Sequence, residues 1–206
     1  MTQTAFSFQT LGQESVAEFS DRGSRFIAYA FPIADADQFK QRLAGLKKEH
    51  PKAVHHCFAW RLGLDGTQFR VSDDGEPSGS AGRPIMGQLD ARNLTHAAVI
   101  VVRYFGGTLL GVPGLINAYK SAAALALQVN TVVEKPIEDV YSLDFDYTLI
   151  NEVMTVLKRY PCTIHRQDMQ LFCHFTVGIP RLHQDTCIQQ LKHIYGVEIK
   201  AKATAA

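Results

Sequence analysis

Residues 72–111 read SDDGEPSGSAGRPIMGQLDARNLTHAAVIVVRYFGGTLLG. An acidic turn, Asp73-Asp74-Gly75-Glu76, runs into a loop of small residues from Ser78 to Gly82. A short helical pattern, an apolar strand and a second glycine turn follow. Pro84 suits the first turn of a helix over Arg83–Ala91, where its missing N–H leaves no bond unmade. His96–Arg103 is apolar without alternation, which predicts a strand covered on both faces. Two loops thus bracket one helix and one buried strand, a common way to hold a ligand-contacting site on a rigid frame.

Upstream, Glu14–Ser20 and Ser24–Ile33 read as strands around the turn Asp21-Arg22-Gly23, after about ten residues without pattern. Asp35–Glu49 is helical, with Ala36, Phe39, Leu43 and Leu46 at helical spacing and Pro51 as the stop. His55–Leu62 is a strand that places Phe58 and Trp60 on one face and His55, Cys57 and Ala59 on the other. Thr67–Val71 is a short strand leading into the acidic turn. Downstream, Pro113–Val129 is a helix with Leu115, Ile116, Tyr119, Ala122, Ala123, Ala126 and Leu127 on one face. A composition shift and a proline over Asn130–Pro136 mark a boundary between domains expected at 1–133 and 134–206.

The second part continues as strand Glu138–Tyr147, helix Thr148–Tyr160, strands Cys162–Arg166 and Leu171–Gly178, helix Gln184–Tyr195 and strand Val197–Lys202. That βαββαβ order predicts a ferredoxin-like split βαβ domain. The fold class expected is therefore α+β, in two domains.

Apolar residues make up 46% of the 206-residue chain and charged residues 20%, with a net charge of +1. That is the balance of a soluble globular protein, with no charged tail for a polyanion. The longest apolar run, Ala97 to Val102, is far short of the roughly 20 residues a membrane span needs. The opening MTQTAFSFQTLGQES shows no basic segment followed by an apolar core, so a cytoplasmic protein off the membrane is expected. Cys57, Cys162, Cys173 and Cys187 form no C-x-x-C pair and read as reduced thiols.

Four constellations could carry chemistry. Three carboxylates at 73–76 could hold a hard cation, yet the alternate spacing of an EF-hand is absent, and the plainer reading is a solvated turn whose Asp residues accept backbone N–H bonds. Ser78–Pro84 opens a helix, so its free N–H groups beside Arg83 suit a phosphate or sulfate at residues 79–83. It is neither a Walker A loop nor a dinucleotide fingerprint. Arg103-Tyr104-Phe105 beside Gly106, Gly107 and Gly111 suits base stacking and phosphate contact, or else buries one ring and displays Arg103. His55 and Cys57 share a strand face, as a nucleophilic pair would, although a free strand cysteine is usually a small core residue.

SRFIA (24–28), HPKAVHHCFAW (50–60), SDDGEPSGSAGRP (72–84) and VVRYFGGTLLGVPGLINAY (101–119) together resemble the IMPACT/YigZ family. The resemblance is close over residues 14–129. It implies an N-terminal domain of the ribosomal protein S5 domain 2-like type and a C-terminal domain like the last one of elongation factor G. Both folds recur in ribosome-associated proteins, which implies a role in translation or on RNA. Eukaryotic members engage an activator of an initiation-factor kinase. Pro113 stands where many members have glycine, and Asn117 where many have a basic residue, which removes a positive charge from that face.

From motif and chemistry together, the candidate binding residues are Arg25, His55, Asp73, Asp74, Glu76, Ser80, Gly82, Arg83, Arg103, Tyr104, Gly106, Gly107 and Lys120. No catalytic residue, metal ligand or cofactor is assigned. The leading expectation is a non-enzymatic protein that binds RNA or a ribosome-associated protein and modulates translation. A hydrolase acting on a phosphate-bearing or peptide substrate at the same loops, or a protein-binding adaptor, are the alternatives. Arg25, His55, Arg83 and Arg103 decide between them. Convergence in one concavity with Asp73 and Asp74 points to an active site, and a broad basic face points to RNA.

Overall fold

The computed structural model describes residues 6–202, so the outermost residues of both expected domains lie outside the described part. The described chain is mixed α/β and divides into two compact units. One comprises Phe8–Lys135, and the other is Pro136 onward together with Phe6 and Ser7.

In the first unit, β2 (Ser15–Asp21), β3 (Ser24–Pro32), β4 (His55–Leu62), β5 (Gln68–Ser72) and β6 (Ala97–Tyr104) form one sheet in the order β2-β3-β6-β4-β5. Every neighbouring pair is antiparallel. The central strand β6 is buried on both faces, which explains its lack of alternation. One face of the sheet, with Phe26, Ala28, Cys57, Ala59, Val99 and Val101, packs against α2 (Gly82–Asp90) and α3 (Gly111–Gln128). The other, with Tyr29, Phe31, Phe58, Ile100 and Val102, packs against Phe39 and Leu46 of α1 (Ala36–Glu49). Asp35 caps α1, accepting from the N–H groups of Asp37 and Gln38.

Two strands carry no legible pattern. β1 (Ser7–Leu11) falls within the unpatterned opening, and β7 (Val132–Pro136) within the expected domain boundary. They pair with each other, and the Gly12 N–H donates to the Thr131 carbonyl at 2.8 Å. β1 buries two successive residues and β7 none, so burial imposes no period of two on either. Helix α3 starts two residues earlier than expected, so Pro113 sits in its first turn. Its inner face uses Ala118, whereas Ile116 is exposed.

The second unit is one sheet in the order β11-β8-β10-β9, built from β8 (Glu138–Asp146), β9 (Thr163–Met169), β10 (Phe172–Pro180) and β11 (Glu198–Ala201). All pairs are antiparallel. Helices α4 (Ile150–Arg159) and α5 (Gln184–His193) supply Val153, Leu157, Cys187 and Leu191 to a core with Leu143, Phe145, Phe175 and Val177. No helix among the described residues is long and apolar enough to cross a membrane.

Candidate functional site

The acidic turn does not present its carboxylates together. Each one points to a different partner. Asp73 turns onto the start of α2, where Oδ2 accepts from Gly79 N at 2.8 Å and Oδ1 accepts from Ala81 N at 3.0 Å and Gly82 N at 2.8 Å. Burial pushes its carboxyl toward the neutral form, but the three N–H bonds and the nearby Arg83 charge outweigh that and hold the pKa below the ordinary value. Asp74 accepts from His56 N through Oδ2 at 2.7 Å, and so folds the turn back on β4.

This geometry corrects the anion-site expectation. The N–H groups expected to meet a phosphate or sulfate at 79–83 are filled by the chain's own carboxylate. Ser80 is fully buried, and its hydroxyl donates to the Pro77 carbonyl at 2.6 Å. Gly82 is there for close packing, since a Cβ would stand 2.8 Å from Ser72 N. Arg83 is exposed beside them.

Glu76 is the third carboxylate, and it is buried. Its Oε1 accepts from Arg103 Nη1 at 2.6 Å and from the Tyr119 hydroxyl at 2.7 Å. The two charged side chains are only 3% (Glu76) and 6% (Arg103) exposed, so the expectation that Arg103 is displayed is also corrected. The Arg103 guanidinium lies within cation–π reach of two rings, 5.4 Å from the Phe26 centroid and 5.6 Å from that of Phe105, and its Nε is buried without an acceptor. Alternation explains the placement. Residues 97, 99, 101 and 103 of β6 face α3, where Tyr119 projects from the helix toward the same point.

His55 enters from β4, directly opposite Arg103 in register. Its Nδ1 is 2.7 Å from the Asp74 carbonyl oxygen. A carbonyl only accepts, so Nδ1 carries a proton, and the uncharged form of the ring has its lone pair on Nε2. That Nε2 is 3.9 Å from Glu76 Oε1. Cys57, two residues on, is fully buried, with Sγ 2.9 Å from the Asp73 carbonyl and 3.3 Å from the Tyr119 hydroxyl. Burial pushes its thiol pKa well up, so it is a core residue and not an activated nucleophile.

Arg25 and Tyr104 lie across the sheet from this cluster, on the α1 face. Arg25 donates to both oxygens of Glu18 at 2.8 Å, and its guanidinium is 5.8 Å from the Tyr104 ring centroid. The Tyr104 hydroxyl meets His50 Nδ1 at 2.9 Å. Gly106 packs on the β2–β3 turn, where a Cβ would collide with the Gly23 backbone at 1.9 Å. Gly107 takes a positive φ of 86°, and Lys120 is exposed on α3. Arg25, His55, Arg83 and Arg103 therefore do not converge on one concavity: of these four only His55 and Arg103 meet, beside Glu76.

What they border is a cavity of about 380 Å³, walled mainly by Val54, Phe105, Leu109, Leu110, Val112 and Leu115. None of those six is among the candidate binding residues read from the sequence, and neither are Tyr119 and Cys57 beneath it. A signal existed: Phe105, Leu109 and Leu110 are large apolar residues in a glycine-rich loop, where polar residues are usual.

Fold and site together define a mixed α/β protein whose first unit carries an apolar cavity over a buried Arg–Glu–Tyr network. Residues 22–127 match the family model described as the Impact N-terminal domain. The chain belongs to the IMPACT family. An IMPACT family member of Haemophilus influenzae is 36% identical over 80% of this chain and 81% of its own. The family member YigZ of Escherichia coli is 35% identical over 76% of this chain and 78% of its own. A crystal structure of a hypothetical protein is similar with a TM-score of 0.77 at 29% identity, covering 97% of this chain and 98% of that one.

Proposed function

We propose that the protein is a non-catalytic, cytoplasmic regulator of translation that binds a partner of the translation apparatus through the cavity face. The resemblance to the IMPACT/YigZ family, which implies a role in translation, supports the translational reading, and family membership agrees with it. The observation that carries binding is the rim of the cavity: Leu109 is 82% exposed, and Val54, Phe105 and Val112 are each about half exposed around it. Large apolar side chains displayed around a concavity mark an interaction surface. Arg25 and Arg103 are each already paired with a carboxylate, which favours a ribosome-associated protein over RNA as the partner. A hydrolase at these loops would have to rely on His55, because Cys57 and Ser80 are buried against main-chain carbonyls.

The test is co-sedimentation of the full chain with ribosomes at several salt concentrations. Leu109→Glu should reduce association at least tenfold without changing the unfolding midpoint, and the salt slope should be shallow. Unchanged association of Leu109→Glu overturns the assignment of this face, and a steep slope restores RNA.

We also propose that the two units are separate domains, the first S5 domain 2-like and the second ferredoxin-like. The strand order β11-β8-β10-β9 with both helices contributing to one core supports the latter. A fragment of residues 8–135 should unfold cooperatively in denaturant, and a non-cooperative melt would refute an independent first domain.

A further inference from the structure

The cavity has a more specific chemistry than an apolar hollow. We propose that it is an anchor site for one aromatic side chain bearing a single hydrogen-bond donor, a tryptophan or tyrosine presented by a partner protein. The inference rests on the reading that this face binds a protein, and it names the group that enters.

Three observations converge on that group. First, the walls are aliphatic and aromatic, and a cavity of about 380 Å³ lies within the range that encloses a ligand-sized apolar body. Second, the polar edge is electrically balanced. Arg103 is neutralised by Glu76 at 2.6 Å, so neither an anion nor a cation finds an unpaired charge there. His55 lines the cavity and, as the uncharged imidazole, offers an acceptor: Nδ1–H is held by the Asp74 carbonyl, which leaves the ring's lone pair on Nε2. An indole N–H is a donor only, and a phenol O–H can donate, so both match that lone pair. Third, the Arg103 guanidinium also lines the cavity, with a buried Nε that has no acceptor and with Phe105 as a ring neighbour at 5.6 Å. A further aromatic ring brought against this cation, beside Phe26 and Phe105, gains the same quadrupole attraction, which an aliphatic side chain cannot provide.

The exposed rim argues for a protein as the source. A free small molecule filling the hollow would leave Leu109 standing in water, whereas a polypeptide around an inserted ring would cover it. Trp and Tyr are also the side chains that most often serve as anchors in such pockets.

The experiment uses the full chain and two probes, indole and 1-methylindole, followed by amide chemical shifts. Indole should perturb the resonances of residues 54–55 and 105–112 and bind about tenfold more tightly than 1-methylindole, the size of one hydrogen bond's net contribution. In His55→Phe the preference should vanish while both probes still bind. Absence of shifts at these residues, or equal affinities in the unsubstituted protein, overturns the anchor assignment. Ribosome association of Leu109→Glu separates this from the broader reading. If that association falls while indole fails to bind, the face is correct and the anchor is wrong. If indole binds with the N–H preference while Leu109→Glu associates normally, the cavity takes a free aromatic compound and the protein-anchor proposal is overturned.

Discussion

Replacing Glu76 by alanine should destabilise the protein by about 4 kcal/mol, because it strands a buried guanidinium without its counter-charge. Glu76 and Arg103 are 3% and 6% exposed, so water cannot take over the role of the carboxylate. The same change leaves the Tyr119 hydroxyl without the acceptor it now donates to at 2.7 Å. The pair itself is a different matter. Two desolvated charges hold each other at little net gain, so an apolar pair of similar volume can replace them at a small fraction of that loss. Glu76→Leu with Arg103→Met should therefore recover most of the stability lost by Glu76→Ala. Urea unfolding of the unsubstituted protein and the two variants checks this. A loss under about 1 kcal/mol for Glu76→Ala would show that the network is solvated and not buried. The double variant would also change the cavity wall, so its stability and its indole binding should part company.

Asp73→Ala should destabilise by about 3 kcal/mol, since it leaves the N–H groups of Gly79, Ala81 and Gly82 without an acceptor at a partly buried helix start. Asp73→Asn should cost less, but not nothing. Its single carbonyl oxygen can keep the Ala81 and Gly82 bonds, while its NH₂ group then faces the Gly79 N–H, donor against donor. The pH dependence has a definite sign. The Asp73 carboxyl has a lower pKa folded than unfolded, so its contribution is fully present above the unfolded value of about 4. That contribution is lost as pH falls through the folded value. The stability gap between the unsubstituted protein and Asp73→Asn should accordingly be constant near neutrality and narrow below about pH 4. A gap that stays constant down to about pH 2.5 would mean that folding leaves the Asp73 pKa unshifted, so that the three N–H bonds do not favour its ionised form.

These two carboxylates show why the acidic turn could not be read from its letters. Asp73-Asp74-Gly75-Glu76 suits a cation, a solvated turn or a set of caps, because a carboxylate is defined by what it meets. Asp73 meets N–H groups six to nine residues away, Glu76 meets Arg103 and Tyr119 from other elements, and Asp74 meets β4. Likewise Arg25 and Arg103 look alike in sequence, yet register puts them on opposite faces of one sheet, since Arg25 lies opposite Tyr104 and Phe26 opposite Arg103.

By itself the sequence determined the elements whose residues repeat with a period: β4 with its two faces, the doubly buried β6, helices α1 and α3, and the βαββαβ order of the second unit. It also carried the family, through motifs in the 72–84 and 101–119 stretches. Burial imposes those patterns locally, so a short window suffices to read them. Tertiary structure alone decided the β1–β7 pair, the filling of the α2 start by Asp73, the burial of Arg103 and the cavity. Each of these joins residues far apart in the chain, and the free energy that selects them comes from charge pairing, main-chain satisfaction and packing. Those are properties of a partner's position, which no single segment encodes.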